Sequence, residues 1–320
     1  MEYLLDTSYS LNIEPPLEER RYEIRENLQK SIFLEDPKTH IRFDSRFLNF
    51  KEGDRDSTLV IFPPYGFNTE NRLYSYFLET FATKYRNPII AINHLSTLKS
   101  SQLNLEQHVS LLSNSDFSSI TIPFLRALSN NDFSNINLYG YSMGGRVSAS
   151  VALHAKEFGI NIEKLIMVDP AGIKHTTLID FIEEIPGFIH HRKDARDEEQ
   201  IKACGLDDAF LTQIVKLSQE FIPSRVEDQN ALLTYAIALQ RKKLLPDVIG
   251  FLKNNEKSNI VLINGGSSKI CPTKSALELI NIIEKNGYSN RYEHLILEEE
   301  PHAIGINARI MSDLATSYLP

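Results

Sequence analysis

The chain has 320 residues, 42% hydrophobic and 24% charged, an ordinary balance for a chain able to bury a sizeable core. A formal charge of −8, with no local run of Lys and Arg, disfavours a nucleic-acid partner held by phosphate neutralisation. The start MEYLLDTSYS lacks the features of a secretory leader and no stretch approaches the roughly 18 apolar residues of an integral membrane segment; two cysteines, Cys204 and Cys271, make neither a disulfide framework nor a zinc spacing, so a reducing, cytoplasmic setting is expected.

Along the chain, residues 1–37 are charged, carry Pro15-Pro16 and form no clear strand; they are expected to be an N-terminal extension lying on the surface. Residues 40–50 (HIRFDSRFLNF) alternate apolar and polar, the pattern of a half-exposed edge strand or hairpin. Strands follow at Thr58–Phe62 (TLVIF), Pro88–Ile92 (PIIAI), Asn135–Tyr139 (NINLY) and Lys164–Val168 (KLIMV). Two more, Asn259–Ile263 (NIVLI) and His294–Leu297 (HLIL), come late in the chain. Most are rich in Ile, Val and Leu without alternation, as strands buried on both faces are. Longer helical patterns separate them, so the expected class is α/β, a mostly parallel central sheet flanked by helices. Residues 173–245 break this rhythm, with no strand pattern but helical stripes at Phe210, Ile214, Leu217, Phe221 and at Leu232, Leu233, Ala236, Ile237. A helical lid inserted between two strands is expected there, dividing a core of residues 38–172 and 246–320.

The chemistry-bearing motif is Gly140-Tyr141-Ser142-Met143-Gly144-Gly145, directly after NINLY and directly before the helical segment RVSASVALHAKEF. In this strand–turn–helix setting each residue of G-x-S-x-G has a task. A nucleophile displayed on so tight a turn leaves no room for side chains two positions away, hence Gly140 and Gly144. The helix that follows aims its first amides at a developing oxyanion. The arrangement resembles the nucleophile elbow of the α/β-hydrolase superfamily.

A serine hydroxyl needs a base within hydrogen-bonding reach. In this superfamily the base follows the final strand, and His302, in EEEPHAIGI after HLIL, stands there. The adjacent His190 and His191 lie in the expected lid, His94 ends an early strand, and His154 lies within the helix behind the nucleophile. The oxyanion hole needs two backbone N–H groups. Met143 would supply one; the other is expected after TLVIF, where Pro63 and Pro64 cannot donate, making Tyr65 the first candidate and Gly66 the second. Many superfamily members carry the acid in a G-x-x-D-x-x-x-P loop, but here Gly265 to Pro272 has Ser268 at the acid position. Asp169, at the end of KLIMV, is the nearest alternative, because a strand beside NINLY would end next to Ser142. It would hold the imidazole in the right tautomer and stabilise the imidazolium.

The run GYSMGGRVSASVALHAKEFGINIEKLIMVD resembles the thioesterase domains that terminate nonribosomal peptide and polyketide assembly lines, with their G-Y-S-x-G-G elbow and a following strand ending in Asp. FPPYG is similar to their oxyanion loop, and His302 matches their histidine by position. The resemblance implies an acyl-Ser142 intermediate and an acyl thioester substrate, linked to a carrier protein or coenzyme A. A carboxylesterase or lipase acting on oxygen esters is the alternative within this class. A hydrolase-fold protein that binds a ligand or partner without turnover is the alternative outside it. Triad chemistry calls for no metal or redox cofactor.

Overall fold

The protein is described here as a computed structural model over residues 17–51, 55, 57–175, 229–241, 243–298, 300, 302 and 308–319. In chain order its elements are α1 (Leu17–Leu28), β1 (Ile32–Glu35), β2 (Arg42–Leu48), β3 (Thr58–Phe62), α2 (Arg72–Lys84) and β4 (Ile89–Ile92). Next come α3 (Leu105–Asn114), α4 (Ser118–Asn130), β5 (Asn135–Tyr141), α5 (Met143–His154) and β6 (Asn161–Val168). After them follow α6 (Gln229–Leu239), α7 (Leu244–Asn254), β7 (Asn259–Gly265), α8 (Thr273–Lys285), β8 (Tyr292–Leu297) and α9 (Ala308–Tyr318). Among the described residues no helix is long and apolar enough to cross a membrane.

The strands form one eight-stranded sheet in the order β1-β2-β4-β3-β5-β6-β7-β8. β2 is antiparallel to both neighbours and every other pair is parallel. The apolar runs lack alternation because successive side chains enter two different cores. Val60 and Phe62 join the core under α3, α4, α5, α7 and α8, whereas Leu59 and Ile61 join the one under α1, α2 and α9. β4 and β7 divide in the same way, with Ile90 and Leu262 on the first side and Ile89 and Val261 on the second. The chain reverses its direction of travel across the sheet at β3, which has β4 on one flank and β5 on the other. At such a switch point the loops leaving the strand ends part and open a crevice.

The structure corrects the expectation for the N-terminal segment in one respect. Residues 32–35 form a strand, pairing with β2 from Ile32↔Ser45 to Glu35↔Arg42. Only Leu34 of the four is buried, with Ile32 and Phe33 exposed, so IFLE joins the sheet edge mainly through its backbone. β2 is also less exposed than its alternation suggests, because Asp44, Ser45 and Arg46 are buried with hydrogen-bond partners. Arg46 Nη1 donates to Asp44 at 2.6 Å, Arg46 Nε to the Leu28 carbonyl at 2.7 Å, and Ser45 Oγ to the Ile32 carbonyl at 2.6 Å. β6 is longer than KLIMV because a bulge interrupts its pairing with β5, and the Asn137 side chain accepts from the Lys164 amide at 3.0 Å.

In α6 the expected stripe is only partly covered, Ala236 and Ile237 being half-buried. Ala231, Thr234, Tyr235 and Ala238 are buried while Leu233 is exposed. Thr234 and Tyr235 tolerate burial because they are bonded, Thr234 Oγ1 with His108 Nδ1 at 2.8 Å and Tyr235 to the Leu95 carbonyl at 3.4 Å. The stripe Phe210, Ile214, Leu217 and Phe221 lies outside the described residues.

Candidate active site

At the C-terminal end of β5 the backbone turns at Ser142 with φ 55° and ψ −116°, a conformation sparsely populated by L-residues. Sterics make the flanking glycines necessary. A Cβ on Gly140 would overlap the Ser148 hydroxyl and the Gly144 carbonyl; one on Gly144 would overlap the Phe62 carbonyl at the end of β3. On Gly145 it would come within 2.8 Å of Pro170 Cβ. The turn is fastened to the end of β6 at both its polar atoms. Ser142 N donates to the Val168 carbonyl at 2.9 Å, and the Ser142 carbonyl accepts from Ala171 N at 3.0 Å. Ser142 and Asp169 therefore share one local framework, as the neighbouring of β5 and β6 makes them.

Asp169 follows the last residue of β6 and also has a positive φ, 45°. Its carboxylate is buried and His302 lies between it and the serine: Nδ1 is 2.7 Å from Asp169 Oδ2, and Nε2 is 2.9 Å from Ser142 Oγ. The carboxylate can only accept from Nδ1–H, which leaves Nε2 of the neutral ring to accept from the serine hydroxyl. Burial pushes the Asp169 carboxyl above the usual carboxylate range, opposed by hydrogen bonds from His302, from the Ser268 hydroxyl and from the Gly265 amide. The Gly265 bond measures 3.0 Å. Ser268, in the loop from Gly265 to Pro272, thus donates to Asp169 at the end of β6. Its own oxygen accepts from Cys271 N at 3.1 Å. Sequence reasoning missed this, although the intact Gly-x-x-Ser frame was a signal that the loop still faces the same atoms.

Met143 opens α5, so its amide belongs to the first turn, whose N–H groups have no partner within the helix. Tyr65 lies in a tight turn closed by Phe67 N donating to the Pro64 carbonyl at 3.2 Å, with Gly66 at φ +75°. The close approach of Gly144 to Phe62 seats the serine turn against the root of this loop. Two residues at the end of β4 hold the loop. His94 Nε2 donates to the Pro63 carbonyl at 2.8 Å, and Asn93 bonds Thr69, receiving from its amide at 2.8 Å and donating to its hydroxyl at 2.9 Å. Burial lowers the His94 pKa to about 4, so the ring is neutral near pH 7. Among the described residues, no group of three or more His, Cys, Asp or Glu side chains gathers as a metal site would.

No family model matches the chain and no curated protein matches it in sequence. Solved structures do match. An esterase from Exiguobacterium antarcticum is similar with a TM-score of 0.59 and 16% identity, over 90% of this chain and 99% of that one. A serine hydrolase from Cycloclasticus zankles gives 0.59 and 13%, over 90% and 97%. An alpha/beta hydrolase enzyme from a deep-sea metagenome library gives 0.55 and 11%, over 86% and 94%. At such identities the likeness is one of architecture. The chain has the α/β-hydrolase fold.

Proposed function

We propose that the protein is a serine acyl hydrolase or acyl transferase working through an acyl-Ser142 intermediate. The observation that carries this reading is the unbroken line of hydrogen bonds from Asp169 through His302 to Ser142, at 2.7 and 2.9 Å. In the first half-reaction His302 Nε2 takes the serine proton as Oγ bonds to the substrate carbonyl carbon. The amides of Met143 and Tyr65 receive the oxyanion. The bond to the leaving oxygen or sulfur then breaks, and the imidazolium returns its proton to the leaving group. In the second half-reaction His302 deprotonates water, or another nucleophile, which releases the acyl group from Oγ and restores the serine. Residues 173–245 are read as the insertion that selects the substrate.

The thioesterase-like run from Gly140 to Asp169 favours an acyl thioester, carried on a carrier protein or coenzyme A. Similarity to an esterase favours an oxygen ester as the second reading. The first experiment is covalent labelling with a fluorophosphonate. The wild type is expected to label, Ser142→Ala not at all, and Asp169→Asn slower by orders of magnitude, toward the roughly 10⁴-fold known for a triad acid. Labelling of Ser142→Ala equal to wild type would sink the reading; a folded wild type inert to the probe would favour a binding protein. Matched thioester and oxygen-ester substrates then separate the two classes, since a thioester-specific enzyme slows strongly on the oxygen ester.

A further inference from the structure

We propose that Tyr141 is a positioning residue that holds the main chain of His302 in register with the nucleophile. The inference rests on the hydrolase reading above and names a part it does not use. Tyr141 is the last residue of β5 and is buried. Its hydroxyl donates to the backbone carbonyl of His302 at 2.8 Å, and its ring faces the imidazole with centroids 5.1 Å apart and planes at 39°.

An imidazole is a useful base only if its nitrogen stays on the serine, and two torsions separate the ring from the backbone. The bond to Asp169 fixes the far nitrogen but leaves the main chain at residue 302 to be held by something else. Tyr141 supplies that anchor from the neighbouring position to Ser142. A short closed circuit results. It runs from Ser142 Oγ to His302 Nε2 at 2.9 Å, through the residue to its carbonyl, across 2.8 Å to the Tyr141 hydroxyl, and back through one peptide bond. Because the strand end that displays the nucleophile also grips the base, small movements of the turn carry both groups together. The bland alternative is that a buried tyrosine hydroxyl has merely found an acceptor. The two differ in what is lost when the hydroxyl alone goes.

The test compares full-length wild type, Tyr141→Phe and Ser142→Ala in three measurements: the fluorophosphonate labelling rate, kcat and KM on p-nitrophenyl acetate, and the downfield proton resonance of His302 Nδ1–H. In Tyr141→Phe, labelling and kcat should fall roughly 10- to 100-fold with KM within about twofold, as misplacement of a reacting group predicts. The Nδ1–H resonance should broaden as the ring loses its fixed pose. A wild-type labelling rate with an unchanged resonance would overturn the positioning role alone. A rate that falls only in step with the folded fraction would overturn it too, while labelling that persists in Ser142→Ala would overturn the hydrolase reading beneath it. If Tyr141→Phe does not fold, a fluorinated tyrosine at position 141 keeps the ring and makes the hydroxyl acidic. The labelling rate should then drop as that hydroxyl ionises with rising pH, and an unaltered pH profile would overturn the role.

Discussion

At Asp169, burial and hydrogen bonding pull in opposite directions: removal from water disfavours the charged carboxylate, while His302, Ser268 and Gly265 donate to it. A buried carboxylate beside a neutral imidazole gains most when that imidazole becomes positive, which on the proposed mechanism happens as the serine adds to the carbonyl. On that proposal the site would stabilise the transition state more than the resting state. His94 makes a separate statement about pH. Its folded pKa of about 4 lies below the unfolded value of 6.5, so the folded protein resists a proton that the unfolded chain accepts. Its contribution is fully present above pH 6.5 and is lost as pH falls through about 4, amounting to about 3 kcal/mol at most. His94→Gln keeps a donor for Pro63 without titrating. Urea midpoints measured between these pH values should flatten in that variant relative to wild type, and parallel curves would refute the assignment. Ser142, His302 and Asp169 could be grouped from sequence because motif, strand order and spacing each restricted them. The Asn93–His94 clamp could not, since two polar residues after an apolar strand read equally well as an ordinary loop.

Helices α5 and α7 are joined by an ion pair between Arg146, four residues beyond the serine, and Asp247. Both side chains are largely buried, and Arg146 also donates to the Ser115 carbonyl at 3.2 Å and lies 5.0 Å over the Phe117 ring. Removing one member of such a pair strands the other charge out of water. Asp247→Leu is expected to lower unfolding stability by about 3 kcal/mol in urea titrations, and the double variant Arg146→Met/Asp247→Leu to regain most of it. Equal losses in the single and double variants would show that packing rather than charge sets the penalty. Elements were legible in the sequence where side-chain burial shaped them, as with the aliphatic runs of β3 to β7. Those defined by backbone pairing or polar networks were not. β1 has one buried side chain, β2 hides Asp44 and Arg46 as a charge pair, and the buried face of α6 includes the polar Thr234 and Tyr235.

For the molecule as a whole, residues 17–37 are part of the architecture. β1 caps the sheet edge, α1 places Ile24 and Leu28 in the second core, and Asp36 binds Arg126 of α4 through two bonds of 2.8 and 2.7 Å. Deleting residues 1–37 is expected to abolish soluble, cooperatively unfolding protein, judged by thermal denaturation; a truncated chain melting like the full one would contradict the view that this segment completes the fold. The alternation of short apolar runs with helical patterns marks the architecture even where identity to similar solved structures is only 11–16%. The left-handed serine has a consequence for any attempt to improve this protein. Glycine is the residue that relaxes at φ 55°, so on the proposed function position 142 would set thermal robustness against reactivity. A screen that ranked variants by melting temperature alone would favour glycine there, and would discard the hydroxyl with it.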